Sequence, residues 1–157
     1  MKILLAIDGS KFSHEAVDKI ARMQFSSQTE VRIISVFHNS FWPTVLEEAV
    51  TGGVMDKFYE EAIYLARKSA EDIVKDAAQV INAKSSSLSV TTIAVDGSPK
   101  KAILDEAETY GADLIVVGSQ GNNAISRFML GSVSHFVSLY AHCSVMIVRK
   151  RGDKNKA

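Results

Sequence analysis

The chain has 157 residues and balances 18 Lys plus Arg against 18 Asp plus Glu, so no net field favours nucleic acid, an anionic membrane or an acidic partner. One domain is expected at this length, spanning residues 1–150 ahead of a charged 151–157 tail, and burying about 70% of the surface the unfolded chain exposes. A lone cysteine, Cys143, excludes an internal disulfide framework, forms no metal site by itself, and is expected to be a buried thiol.

Ile3-Leu4-Leu5-Ala6-Ile7 reads as a buried strand. Asp8 breaks that run far short of the about 20 apolar residues of a membrane span, so no membrane contact and a cytoplasmic location are expected. The turn Asp8-Gly9-Ser10 leads into an amphipathic helix carrying Ala16, Val17, Ile20, Ala21 and Phe25, with Ser13 as its expected N-cap. Val31 to Phe37 forms a second strand. His38 to Asp56, with Phe41, Trp42, Pro43 and Gly52-Gly53, lacks a period and reads as a long connection. From about Lys57 to Ala83, Ala62, Leu65, Ala66, Ala70, Ile73, Val74, Ala77, Val80 and Ile81 alternate with charges as a long amphipathic helix. Leu88 to Val95 is the third strand, and Asp96-Gly97-Ser98-Pro99 opens the next helix with Ser98 as N-cap and Pro99 at its first position. Ala102, Ile103, Ala107 and Tyr110 form that helix's inner face and Gly111 ends it.

Leu114-Ile115-Val116-Val117 is uninterrupted and rich in β-branched residues, the signature of a parallel strand buried on both faces. It stops at Gly118; Gly121 follows, and after nine more residues come Gly131-Ser132, then Val133, Phe136, Val137 and Tyr140 at helical spacing. Ser144 to Val148 is the last strand. Five alternations of strand and helix predict a doubly wound α/β fold, a Rossmann-like parallel sheet with helices on both faces.

A strand that feeds a glycine-rich loop and then a helix N-terminus can take an anion, because the first helical N–H groups lack internal partners and the dipole's positive end points outward. The same turn also serves as a plain structural connection, and Ser132 suits either a helix cap or a phosphate contact. There is no Lys beside it, so this is not the Walker loop, and the loop's only cation is Arg127. With no kinase signature either, fast phosphoryl transfer is not expected. His135 and His142 are candidate bases only by sequence proximity, while His14 and His38 have no convergent partners.

The pattern Gly118-x2-Gly121-x9-Gly131-Ser132, with Asp8 after the first strand and a closing Val145-Met146-Ile147-Val148 strand, resembles the universal stress protein family from Lys2 to about Arg149. The glycine spacing is similar to that of its ATP-binding members. The resemblance implies five strands in the order 3-2-1-4-5, which puts the first and fourth strand ends side by side at a switch point. It implies an adenine nucleotide as ligand: ATP, with ADP or AMP as alternatives. Asp8 would then contact the adenosine, Val36 would flank the adenine ring, and Ala6, where some relatives carry proline, would serve through backbone alone. Val117, Gly118, Ser119, Gly121, Gly131, Ser132 and Val133 would face the ribose and phosphates. Mg²⁺ or Mn²⁺ would be held through phosphate oxygens. Many relatives place Lys or Arg where this chain has Gln120, Asn122 and Asn123, a difference that Arg127 would partly offset. The resemblance also implies a homodimer paired through Val145 to Val148, bounded by Arg149-Lys150-Arg151, and an unknown protein partner. The expected role is a nucleotide-responsive stress regulator, with a slow ATPase or an interaction-only dimer as alternatives.

Overall fold

The computed structural model describes residues 1–37, 54–121 and 130–149. The expectations for 38–53, including Phe41 and Trp42, for Asn122, Asn123 and Arg127, and for the 151–157 tail lie outside these residues.

The elements run β1 (Lys2–Ala6), α1 (Lys11–Arg22), β2 (Glu30–Phe37), α2 (Val54–Lys84), β3 (Ser89–Asp96), α3 (Pro99–Tyr110), β4 (Leu114–Gly118), α4 (Ser132–Tyr140) and β5 (Ser144–Val148). The strands form one sheet in the order β3-β2-β1-β4-β5, and every pairing is parallel. This is the predicted doubly wound arrangement. Parallel strands need crossovers, and the crossovers cover both faces, which is why β1 and β4 are apolar without alternation. Ile3, Leu4, Leu5, Ile115 and Val116 are fully buried, and each contributes about 1.5–3 kcal/mol over leaving it exposed.

Successive strand residues point to opposite faces, so the sheet divides the apolar residues into two cores. Ile3, Leu5 and Ile7 pack with Val116 against Ala16, Val17 and Ile20 of α1 and Val74, Ala77 and Ile81 of α2. Leu4, Ala6, Ile34, Ile115 and Val117 pack against Ile103, Ala107 and Tyr110 of α3 and Val137 of α4. On the second face Arg32 Nη1 meets Glu106 Oε1 at 2.6 Å while its guanidinium lies 4.1 Å from the Tyr110 ring centre, which pins α3 to β2.

Helix boundaries correct several expectations. Ser10, not Ser13, caps α1: Ser10 Oγ accepts from the Ser13 N–H at 3.2 Å, and the Ser13 hydroxyl donates back to the Ser10 carbonyl at 2.9 Å. The cause is local, because the Ser10 N–H donates to Asp8 Oδ1 at 3.0 Å and leaves Ser10 in the extended conformation an N-cap requires. Ser98 is the N-cap of α3 but makes no side-chain cap hydrogen bond, and Pro99 follows at the first helical position, where its fixed φ suits the helix and its missing N–H costs nothing. Gly111 ends α3 in the left-handed conformation at φ 68°. The long helix α2 begins at Val54, so the connection expected to reach Asp56 ends earlier. From Lys57 onward its first buried residue is Ala70, and Leu65, assigned to the inner stripe by spacing, is 56% exposed. Cys143 is half-buried rather than buried, and burial still pushes its thiol up from the ordinary value.

Candidate functional site at the ends of β1 and β4

β1 connects onward to the β2 side of the sheet and β4 to the β5 side, so the carboxyl ends of β1 and β4 are the point where the winding reverses and a crevice opens. Ala6 stands opposite Val117 in the ladder, and the Ile7 N–H donates to the Ile34 carbonyl at 2.9 Å, which brings the end of β2 alongside. Ala6 and Val117 belong to the core under α3 and α4, and Val36 and Val133 pack against it half-buried. Four of the residues singled out in the sequence therefore share one face of the sheet.

Asp8 is exposed two residues past β1. One carboxylate oxygen is held by the Ser10 N–H, and the other, Oδ2, lies 2.7 Å from where a Cβ on Gly121 would stand. The end of the first strand and the glycine loop thus meet at a single carboxylate. At Gly118 the neighbour is different: a Cβ there would lie 2.8 Å from the Phe12 carbonyl carbon and 2.9 Å from its oxygen. Gly118 is the seat of α1's first turn, and only a residue without a side chain lets that helix come so close.

Ser119 is buried, its N–H donating to the Val148 carbonyl at 2.7 Å and its carbonyl accepting from the Gly131 N–H at 2.8 Å. The amides of Ser119 and Gly131 are therefore already used within the chain. Those of Ser132 and Val133 open the first turn of α4. Gly131 is that helix's N-cap and has no side chain with which to cap it, in contrast to Ser10 on α1. Ser132 is the first helical residue and is exposed, so of its two expected roles the cap belongs to Gly131. His135 and His142 are exposed, and Arg127 lies outside the described residues.

Three contributors went unremarked in the sequence. Ser10 orients Asp8, and the Asp-Gly-Ser turn was its available signal. Phe12 approaches Gly118 through its backbone, which no residue type announces. Ser134 is buried in α4 and bonds across the loop to Ser119, with only its position three residues after Gly131 to mark it.

A family model described as the universal stress protein family matches residues 1–149. The chain belongs to the universal stress protein family. It is 35% identical over 150 residues to the universal stress protein YxiE of Bacillus subtilis, covering 94% of this chain and 98% of that one. Among solved structures, this universal stress protein is similar to UspA from Lactobacillus plantarum at a TM-score of 0.74 and 25% identity, over 95% of this chain and 97% of the other. It shares its fold with a universal stress protein in complex with cAMP, at TM-score 0.63 and 23% identity over 95% and 96% of the two chains. It also shares it with an Arabidopsis thaliana family member with AMP bound, at TM-score 0.62 and 18% identity over 100% and 96%.

The two glycines predict opposite outcomes. Gly118→Ala pushes side-chain volume into helix backbone and should destabilise by about 1–3 kcal/mol in urea unfolding. Gly121→Ala meets only the movable end of Asp8 and should change stability by no more than about 0.5 kcal/mol. Equal destabilisation by both would refute the packing described for Gly118.

Proposed function

We propose that this chain binds an adenine nucleotide, ATP first with ADP or AMP as alternatives, in the crevice beyond β1 and β4, and works as a nucleotide-responsive regulator in the cytoplasm. The observation that carries this reading is the meeting of Asp8 with Gly121, because it joins a strand-end carboxylate and a glycine loop in one cleft. The AMP and cAMP held by proteins of the same fold support it.

The ligand's three parts divide among the residues by chemistry. Val36 flanks the adenine ring while Ala6 offers backbone beside it. Asp8, an acceptor fixed by Ser10, takes a hydrogen bond from an adenine amine or a ribose hydroxyl. Val117, Gly118, Ser119 and Gly121 form the wall at the ribose, and the N–H groups of Ser132 and Val133 meet the phosphates at the N-terminus of α4, where Gly131 adds no side chain to obstruct them. Arg127 adds charge to the same loop. Among the described residues no three His, Cys, Asp or Glu side chains converge on a metal position, so Mg²⁺ or Mn²⁺ would be held by phosphate oxygens and water. Little turnover is expected of such a site, since among the described residues it presents no positioned base and no paired cations for the transferring group.

The domain runs through residues 1–150, and β5 lies at a sheet edge with Val145 to Val148 half-buried. An edge with unpaired backbone and apolar side chains is covered by a second copy of the same strand about a two-fold axis, giving a homodimer whose nucleotide state selects its protein partner.

Protein purified without added ligand, then denatured, should release an adenine nucleotide on chromatography, and calorimetry of the emptied protein should give micromolar ATP affinity that rises with Mg²⁺. Asp8→Ala and Gly121→Ala should each weaken ATP about tenfold; absence of binding to ATP, ADP and AMP would refute the reading. Light scattering at about 10 μM is expected to give twice the 17.1 kDa chain mass, and a monomer there would remove the dimer.

A further inference from the structure

We propose that Ser134 is a positioning residue that holds the two ends of the glycine loop at the spacing the nucleotide's phosphates require, an inference that rests on the nucleotide-binding reading. Ser134 is 3% exposed, three residues into α4, where a serine is neither a helix cap nor a good helix former. Its hydroxyl lies 3.1 Å from the Ser119 carbonyl, fifteen residues back across the loop, and 3.0 Å from the Gly131 carbonyl, and its single proton is shared between them. Ser119 O thereby receives a second donor beside the Gly131 N–H, while the Ser119 N–H is tied to β5 through Val148 O.

One hydrogen bond closes a loop; two donors from different residues on one carbonyl also fix its direction. The chain that leaves Ser119 toward Gly121 and the first turn of α4 are then held as one unit at close approach: an ideal Cβ on Gly131 would be 3.1 Å from Gln120 Cα and 3.5 Å from Ser134 Oγ. A phosphate tail bridging Gly121 and the amides of Ser132 and Val133 meets donors already in place, so binding carries little ordering cost. The adenine end depends on Asp8 and Val36, whereas Ser134 commits its hydroxyl proton to the Ser119 and Gly131 carbonyls that set the spacing of the loop's ends. Ser119 also stands at the ribose, but that wall needs only shape while the phosphates need aligned donors, so Ser134 acts chiefly on affinity for the phosphates.

The test is calorimetry of ATP and of adenosine on the wild-type chain, Ser134→Ala and Ser134→Thr, with urea unfolding of each. Ser134→Ala should bind ATP about five- to tenfold more weakly and adenosine within about twofold of wild type, and Ser134→Thr, which keeps the hydroxyl, should restore ATP binding. Unchanged ATP affinity in Ser134→Ala, or an equal loss for both ligands, overturns the proposal while leaving nucleotide binding intact. A wild-type chain that binds neither ligand refutes the nucleotide reading and this role with it. If Ser134→Ala does not fold, amide exchange at Gly131 in the wild-type chain decides: slowing by ATP but not adenosine supports the role, and equal slowing by both refutes it.

Discussion

The carboxyl end of the sheet depends on how closely β4 lets its neighbours approach. Gly118 admits the backbone of Phe12 to a distance that any side chain would forbid, and Gly121 leaves the space into which Asp8 extends. Those two contacts bring α1, the end of β1 and the glycine loop to one point, and the rest of the crevice follows from the ladder: Ala6 opposite Val117, with Ile34 joined to Ile7. Had β4 ended in a residue with a Cβ, α1 would stand off and the crevice would lose one wall.

A site made this way offers an anion mostly backbone donors. The first turn of α4 has a glycine as its N-cap, whereas α1 is capped by the hydroxyl of Ser10. On the proposed reading the difference is functional, because a cap on α4 would use the amides that phosphate needs. On the same reading, backbone donors would bind the anion without adding the cations that phosphoryl transfer demands.

The architecture was legible because its causes are local. Two-sided burial writes itself as unbroken apolar runs at Ile3–Ile7 and Leu114–Val117, and Pro99 and Gly111 mark the ends of α3. The glycine spacing and Asp8 were legible as a pattern, but the reason for it was not: that Asp8 fills the space of Gly121, and Phe12 that of Gly118, are facts of tertiary approach between segments more than 100 residues apart. Spacing points to Ser13 as the cap because it does not show that Asp8 has already turned the chain at Ser10. Leu65 fits the helical stripe of α2 and is nevertheless exposed, because periodicity tells which face a residue shares and not whether it is buried there. Ser134 sits in the sequence as one more helical serine, and only its bond across the loop distinguishes it.

The most direct test of the account is a map of amide chemical shifts in the ¹⁵N-labelled chain as ATP is added. The crevice described here predicts the largest changes at Asp8, Val36, Gly121, Ser132 and Val133, with the α2 face of the sheet unmoved. Changes centred on α2, or none at saturating ATP, would contradict it.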